Sequence, residues 1–325
     1  MSYRFVQRFK NIGAVLSIIF LLPYIVTICM NGMNEKEDSQ EVFFGVKVQC
    51  NESEPVQEIE WETYLTGVLA KEISWQEEEE FLKAQAVLLR TRLYQELENS
   101  EDKILSDSYL TRQEIEEKLG VLNGRAYYEK LEQAVKDTGN QVLFYGDVYA
   151  WTPFYYSSNG TGRSANEVMD TDEFPYLSVK ECPLDKGADK EIKVVTFTYK
   201  EIQSKCQSFL VAVSEENAEK IYQYEDFGIV SYDSAGYVLE MKIGETTCTG
   251  DQFRDALGLQ SSAFTMQDKN GKLQITTVGR GHGLGMSQWT ARKMAEEGKT
   301  YEEILQFFFE GTTLASGGEI FTKTE

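Results

Sequence analysis

Phe81-Leu-Lys-Ala-Gln-Ala-Val-Leu-Leu-Arg-Thr-Arg-Leu-Tyr94 is the stretch on which the fold turns. Through Leu89 it is apolar on nearly every face. A helix over residues 78–98 therefore has no side to give to water and is expected to run buried through the centre of a domain. Its interior polar residues, Gln85 and Arg90, must then find partners or line a cavity. The acidic run at 77–80 suits the positive end of this helix. A second helix precedes it: over residues 59–73 the apolar positions are 61, 64, 65, 68, 69 and 73, at helical intervals.

Outward from this pair the chain mixes both kinds of element. A strand is expected over residues 42–49, a helix over 128–137, and a hairpin of 141–144 with 148–152 around Gly146-Asp147. Residues 157–163 read as a Ser/Asn/Gly loop, 192–199 as a strand and 201–209 as a helix. Residues 229–232 and 237–243 pair across Asp233-Ser-Ala-Gly236, and a short helix over 251–257 ends on Gly258. Leu273–Val278 is a strand that enters a glycine loop, followed by a helix from 287 to 297. A last helix begins in a Thr300/Glu303 capping box and ends before Gly311. There is no regular βαβ rhythm, so the fold class expected is α+β, with helices and antiparallel strands mixed in one domain.

Charge and hydropathy set the location. The 325 residues carry 32 bases against 53 acids, a net charge of -21, which argues against nucleic acid as a partner. At 42% hydrophobic residues the chain is too apolar for a disordered tail. Residues 1–33 nevertheless hold Arg4, Arg8 and Lys10 and no acid. Within them, residues 12–30 are interrupted only by Ser17, Pro23 and Thr27, and as a helix would span about 28 Å, close to a bilayer core. Bases precede this run and none follows closely, so residues 1–11 are expected in the cytoplasm, 12–30 in the membrane, 31–41 as a polar linker and 42–325 outside. A cleaved signal peptide is the competing reading. Against it, the run is long for a signal core, and Thr27-Ile-Cys-Met-Asn31 offers no small-x-small cleavage site.

The single histidine, His282, excludes a multi-histidine metal site. Outside the apolar run the cysteines are Cys50, Cys182, Cys206 and Cys248, with no C-x-x-C among them. An outside location permits disulfides, in any of three full pairings. Small buried apolar residues are the simpler reading.

Two segments carry residues suited to chemistry. Gly279-Arg-Gly-His-Gly-Leu-Gly285 has four alternating glycines around His282, which permit positive φ or a close backbone approach. It fails the dinucleotide fingerprint, since the sixth residue from Gly279 is Leu284 and from Gly281 is Met286, and no P-loop lysine follows. A tight connection would use the same glycines. Ser287, Gln288 and Trp289 come next and offer a hydroxyl, an amide and an aromatic face, a usual means of holding a sugar. The second segment is Gly67-Val-Leu-Ala-Lys-Glu-Ile-Ser-Trp75. Most of the acids are solvated surface. Glu72 stands out because apolar neighbours at 68, 69, 73 and 75 are expected to desolvate it, keeping its proton available for general-acid work.

The stretch Tyr64-Leu-Thr-Gly-Val-Leu-Ala-Lys-Glu-Ile-Ser-Trp75, with Leu82-Lys-Ala-Gln-Ala-Val-Leu-Leu-Arg-Thr-Arg92, resembles the signature of the stage II sporulation protein D family. So do Tyr156-Ser-Ser-Asn-Gly160 with Pro175-Tyr-Leu177, Phe253-Arg-Asp-Ala-Leu-Gly-Leu-Gln-Ser261, and the glycine loop through Trp289 with Tyr301-Glu-Glu-Ile-Leu305. These segments occur in the family's order over about residues 60–315. The resemblance implies a membrane-anchored, peptidoglycan-cleaving domain of endospore formers, acting in the mother-cell membrane facing the forespore septum during engulfment. It implies a lytic transglycosylase acting on glycan strands stripped of stem peptides. A cell-wall amidase that does the stripping and a multi-spanning membrane scaffold are the implied partners. The family's catalytic glutamate falls on Glu72, while Arg90, Tyr176, His282, Ser287 and Gln288 match positions expected to bind the glycan.

The implied chemistry needs only one carboxylate. An ordinary glycosidase uses two. In a lytic transglycosylase the acid protonates the glycosidic oxygen and its conjugate base takes the proton of the sugar's own C6 hydroxyl, giving a 1,6-anhydro-N-acetylmuramic acid end. Intramolecular attack avoids recruiting a water. Arg90 or Gln288 could stabilise developing charge. The chain departs from the family at two places. Tyr156 stands where a histidine is common, one that in some members joins cysteines on zinc, so neither metal nor any other cofactor is expected here. Ile73-Ser-Trp-Gln76 replaces the usual Met-Pro-x-x-Trp-Pro. The alternatives are a glycan-binding, non-catalytic enhancer of a cell-wall amidase and an anchored glycan-binding structural module.

Overall fold

Helices α1 (Trp61–Glu72) and α2 (Glu79–Asn99) form the spine of the protein in a computed structural model that describes residues 44–188, 191–210 and 222–318. The further helices are α3 (Arg112–Leu119), α4 (Val121–Asp137), α5 (Ala165–Met169), α6 (Tyr199–Lys205), α7 (Gly250–Leu257), α8 (Gln288–Glu296) and α9 (Tyr301–Phe308). From Gly45 onward the described residues belong to one of the chain's two compact units.

Helix α2 is surrounded by α1, α4, α8, α9 and the strand Gln141–Tyr145. Its buried residues, from Phe81 to Leu97, lie on every face, as the apolar run requires. Each fully buried Leu, Val or Phe here contributes about 1.5–3 kcal/mol relative to exposure. The two interior polar residues both find partners. Gln85 accepts a hydrogen bond from Gln288 at 3.4 Å, and the Arg90 guanidinium donates to the carbonyls of Gln141 and Val135 at 3.0 and 2.9 Å and to the Thr138 hydroxyl at 3.1 Å. Helix α1 starts where the Glu60 carboxylate accepts the N–H groups of Glu62 and Thr63.

The second hydrophobic core is built from hairpins. Phe227–Tyr232, Val238–Ile243 and Thr246–Thr249 make one antiparallel sheet. Phe264–Asp268, Leu273–Val278 and Ile192–Phe197 make another. Helices α6 and α7 contribute Tyr199, Ile202, Phe253 and Leu257 to the same core.

The fold is α+β with mostly antiparallel sheets, and the structure adds two short parallel pairings. Gly45–Val48 lies parallel to Ile104–Leu105, and Phe154–Tyr155 lies parallel to Met286–Ser287. The latter pair joins segments distant in sequence, which local hairpin signals cannot reveal. The expected helix over 128–137 begins earlier, at Val121, and α3 precedes it. Gly120, at φ 80°, turns α3 into α4. The Thr111/Glu114 capping box that starts α3 is present in the sequence, but only Ile115 of that helix is buried, so it carries almost no apolar periodicity.

Cys50, Cys182, Cys206 and Cys248 are free thiols, all buried except Cys50. The expected span at 12–30 and linker at 31–41 lie outside the described residues. Among the described residues no helix is long and apolar enough to cross a membrane.

Candidate active site

Glu72 is the last residue of α1. The helix stops there because Ile73 turns extended, at φ -118° and ψ 147°, and drives its side chain into the core. The Tyr127 hydroxyl donates to the Ile73 carbonyl at 2.7 Å and holds this exit. The Glu72 carboxyl is left on the solvent side, at the edge of a groove of about 380 Å³. The expected desolvation is not found. Val68, Leu69 and Ile73 turn inward, away from the carboxyl, and Trp75 is itself 46% exposed.

One wall of the groove is Lys71, Glu72, Arg92, Asp107 and Ser108, and the other is residues 151–154 with His282. Arg92 and Asp107 form an ion pair, and the Lys71 ammonium donates to the Ser108 hydroxyl. Among the described residues Glu72 makes no hydrogen bond or ion pair, so its oxygens are open to a ligand. The opposite wall is set by three ties. Thr152 donates to the Leu88 carbonyl of α2 at 2.9 Å. The main-chain N–H of Trp151 donates to the Tyr176 hydroxyl at 2.8 Å. The Trp151 ring leans on Phe174, with centroids 5.0 Å apart. The groove thus pairs a free carboxylate with the aromatic side chains of Trp151 and Phe154, a composition suited to a sugar.

His282 reaches the groove from the glycine loop. Its Nδ1 accepts the Leu284 N–H at 3.1 Å, and its ring meets Tyr155 edge-on at 6.0 Å. Burial lowers its pKa to about 4. The charges of Arg254 and Arg163 act in the same direction, while Asp251 and a bond to the Phe154 main chain oppose them. At neutral pH the imidazole is therefore uncharged and serves as a hydrogen-bonding group.

The four glycines bring the loop against its own chain. All have positive φ. A Cβ on Gly285 would stand 2.0 Å from the Pro153 carbonyl, and one on Gly281 would stand 2.6 Å from the Tyr155 Cβ. For Gly279, Gly281 and Gly285 the close backbone approach that the sequence allowed is an approach to residues 153–158, whose first two residues belong to the second wall, while Gly283 lies against Arg163 and Tyr237.

Two buried hubs lock this arrangement, and sequence reasoning missed both. Arg163 donates to Asp233 at 2.6 Å, to Asp251 at 2.8 Å and to the His282 carbonyl at 3.2 Å, with its guanidinium over the Tyr237 ring. Asp185 accepts from the Ser158 N–H and hydroxyl and from the hydroxyls of Ser287 and Thr290, each at 2.6 Å. It sits at the N-terminal end of α8, where a carboxylate is favoured. Nothing local marks either residue: Asp185 is one of 53 acids, and Arg163 ends a loop that reads as polar surface.

Four of the expected glycan-binding residues do not reach the groove. Arg90 is 1% exposed and spends its guanidinium on α2's neighbours, with burial lowering its pKa to about 10. Ser287 is fully buried, caps α8 through the Thr290 N–H and binds Asp185. Gln288 is buried against Gln85. Tyr176 is 4% exposed and holds the Trp151 main chain, acting on the groove only through that residue. The sequence places these side chains beside the groove's walls, and the interior takes them because polar atoms on buried elements need partners. Glu72 and His282 are the two that the fold brings together. Tyr156, at the position where the resemblance suggests histidine, places its ring against the guanidinium groups of Arg280 and Arg292 at 5.1 and 5.4 Å.

Comparison with known proteins adds the family context. Residues 49–145 match the family described as Stage II sporulation protein. The chain is 28% identical over 290 residues to Stage II sporulation protein D of Bacillus subtilis, covering 86% of this chain and 81% of that protein. It is 31% identical over 266 residues to an uncharacterized protein of Brachyspira hyodysenteriae, covering 80% of this chain and 67% of the other. It is also 26% identical over 240 residues to the amidase enhancer of Bacillus subtilis, covering 60% of this chain and 34% of that protein.

Proposed function

From the premise that the chain belongs to the stage II sporulation protein D family, we propose that it is a membrane-anchored lytic transglycosylase cutting stripped peptidoglycan strands during engulfment in sporulation. The observation that carries this reading is the groove that joins Glu72 at the end of α1 with His282, Trp151 and Phe154 from distant parts of the chain. Glu72 is its one carboxylate free of an ion pair, because Asp107 is held by Arg92. That asymmetry suits a single-carboxylate mechanism better than a two-carboxylate hydrolysis.

In this reading the Glu72 carboxylic acid gives its proton to the glycosidic oxygen as the bond to the anomeric carbon breaks. The resulting carboxylate takes the proton of the C6 hydroxyl, whose oxygen closes on the anomeric carbon, and the acid form is restored. Trp151 and Phe154 provide stacking surfaces for the sugar rings. The neutral His282 ring completes the wall that faces Glu72. Because the carboxyl is exposed in the free protein, the covering strand itself excludes water from it. The N-terminal run at 12–30 is the anchor, and a cell-wall amidase and a membrane scaffold are the partners.

Two observations favour a second reading, the amidase enhancer: the exposure of Glu72 and the similarity to a protein of that name. The two readings separate in one assay. Full-chain protein in detergent is incubated with stripped glycan strands, and the products are examined by mass spectrometry. Anhydro ends support the enzyme. Binding without new ends supports the enhancer.

A further inference from the structure

The groove contains two cations, Lys71 and Arg92, in different states. Arg92 is neutralised by Asp107. Lys71 is exposed and makes no ion pair among the described residues; its ammonium donates to the Ser108 hydroxyl. An ammonium has three N–H donors, so this contact leaves two for a ligand. Lys71 directly precedes Glu72, and successive residues of a helix do not face each other, so the two line the groove as separate charges.

Resting on the glycan reading above, we propose that Lys71 is a specificity residue that receives a carboxylate of the strand, the lactyl carboxylate of a muramic acid from which the stem peptide has been removed. On a stripped sugar this group is free and negative. On a sugar that keeps its peptide it is an uncharged amide. The chain's net charge of -21 repels an anionic polymer. An ammonium beside Glu72 reverses that repulsion at one point of the strand and holds the sugar in register with the acid. A compact point charge suits a carboxylate on a flexible lactyl arm, which does not need the planar fork of an arginine. The amide could accept a hydrogen bond from the same ammonium, but charge-assisted bonds are about twice as strong as neutral ones. The groove would thereby read the prior action of an amidase through the charge it leaves behind.

The test uses full-chain protein carrying Glu72→Gln, so that binding is measured without cleavage. Affinities are compared for stripped strands and for the same strands with their lactyl carboxylates converted to methylamides. The expected result is about three- to tenfold tighter binding of the stripped strands, the range of a partly exposed charged contact, and a preference that shrinks as salt is raised. Adding Lys71→Met should remove the preference, and Lys71→Arg should keep most of it. A preference that survives Lys71→Met, or equal binding of both strands by the Glu72→Gln protein, overturns the proposal and leaves the glycan reading standing. Folded protein that binds neither strand overturns the glycan reading, and the role of Lys71 with it.

Discussion

Arg163 donates from its guanidinium to the main-chain carbonyl of His282 at 3.2 Å, across 119 positions of sequence. The same guanidinium is held by Asp233 and Asp251, which come from either side of the Val238–Ile243 strand. The second core thus fixes the glycine loop, and the loop fixes one wall of the groove at whose edge Glu72 stands. The site stands on the helical core, and the hairpin part holds its His282 loop through buried charge that does not line the groove.

Glu72→Gln is expected to abolish release of anhydro ends while melting temperature and strand binding stay near wild type. Gln keeps the shape but has no proton of suitable acidity. Loss of acid-base catalysis costs about 10²–10⁴-fold, and more when one group serves both steps. The check is single-turnover cleavage of stripped strands. A folded variant that cuts at near wild-type rate would mean that another carboxylate does the work.

Asp185→Asn is expected to destabilise the protein by about 3 kcal/mol or more, because a buried charge acceptor is replaced by a group half of which is a donor. Four donors converge on this carboxylate, and the amide must face at least one of them with its N–H₂. Ser287→Ala should cost less, about 1–2 kcal/mol, the value of a helix cap and one charged hydrogen bond. Urea denaturation of the two variants beside wild type measures both, and Asp185→Asn should give the less stable protein of the two.

Gly285→Ala should prevent folding or cost more than about 3 kcal/mol, since positive φ alone costs about 1–2 kcal/mol and a carbonyl 2.0 Å from the new Cβ must also move. Gly298→Ala is the control. It has a similar φ of 85° with nothing within 4 Å, so it should show only the conformational cost. Equal midpoints in denaturant for the two variants would refute the packing of the loop against Pro153.

His282 gives a pH signature. Its folded pKa is about 4 against an ordinary value of 6.5, so between these values the unfolded chain binds a proton that the folded chain does not. Stability contributed by the neutral imidazole is therefore lost as pH falls from about 6.5 to about 4, and nothing further is lost from this group below that. His282→Asn keeps an acceptor within reach of the Leu284 N–H and does not titrate. Its denaturation midpoint should fall less than that of wild type between pH 7 and pH 4. Parallel slopes would show that the histidine is not held neutral.

The sequence by itself determined much of this protein. The apolar run from Phe81 made α2 central, because a segment with no polar face can only be covered on all sides. The Thr300/Glu303 box, Gly258 and the turn at Asp233-Ser-Ala-Gly236 placed ends and hairpins correctly, because caps and turns are satisfied by neighbours a few residues away. Glu72 and His282 were legible as candidates through their motifs. What only the tertiary structure decided is which side chains share a space. Arg90, Ser287 and Gln288 sit in motif segments like Glu72, yet burial turns their polar atoms to partners 45 to 203 positions away. Asp185 and Arg163 have no motif at all. A buried charge is stabilised by whatever donors or acceptors the whole fold converges on it, and that convergence is written in no local pattern.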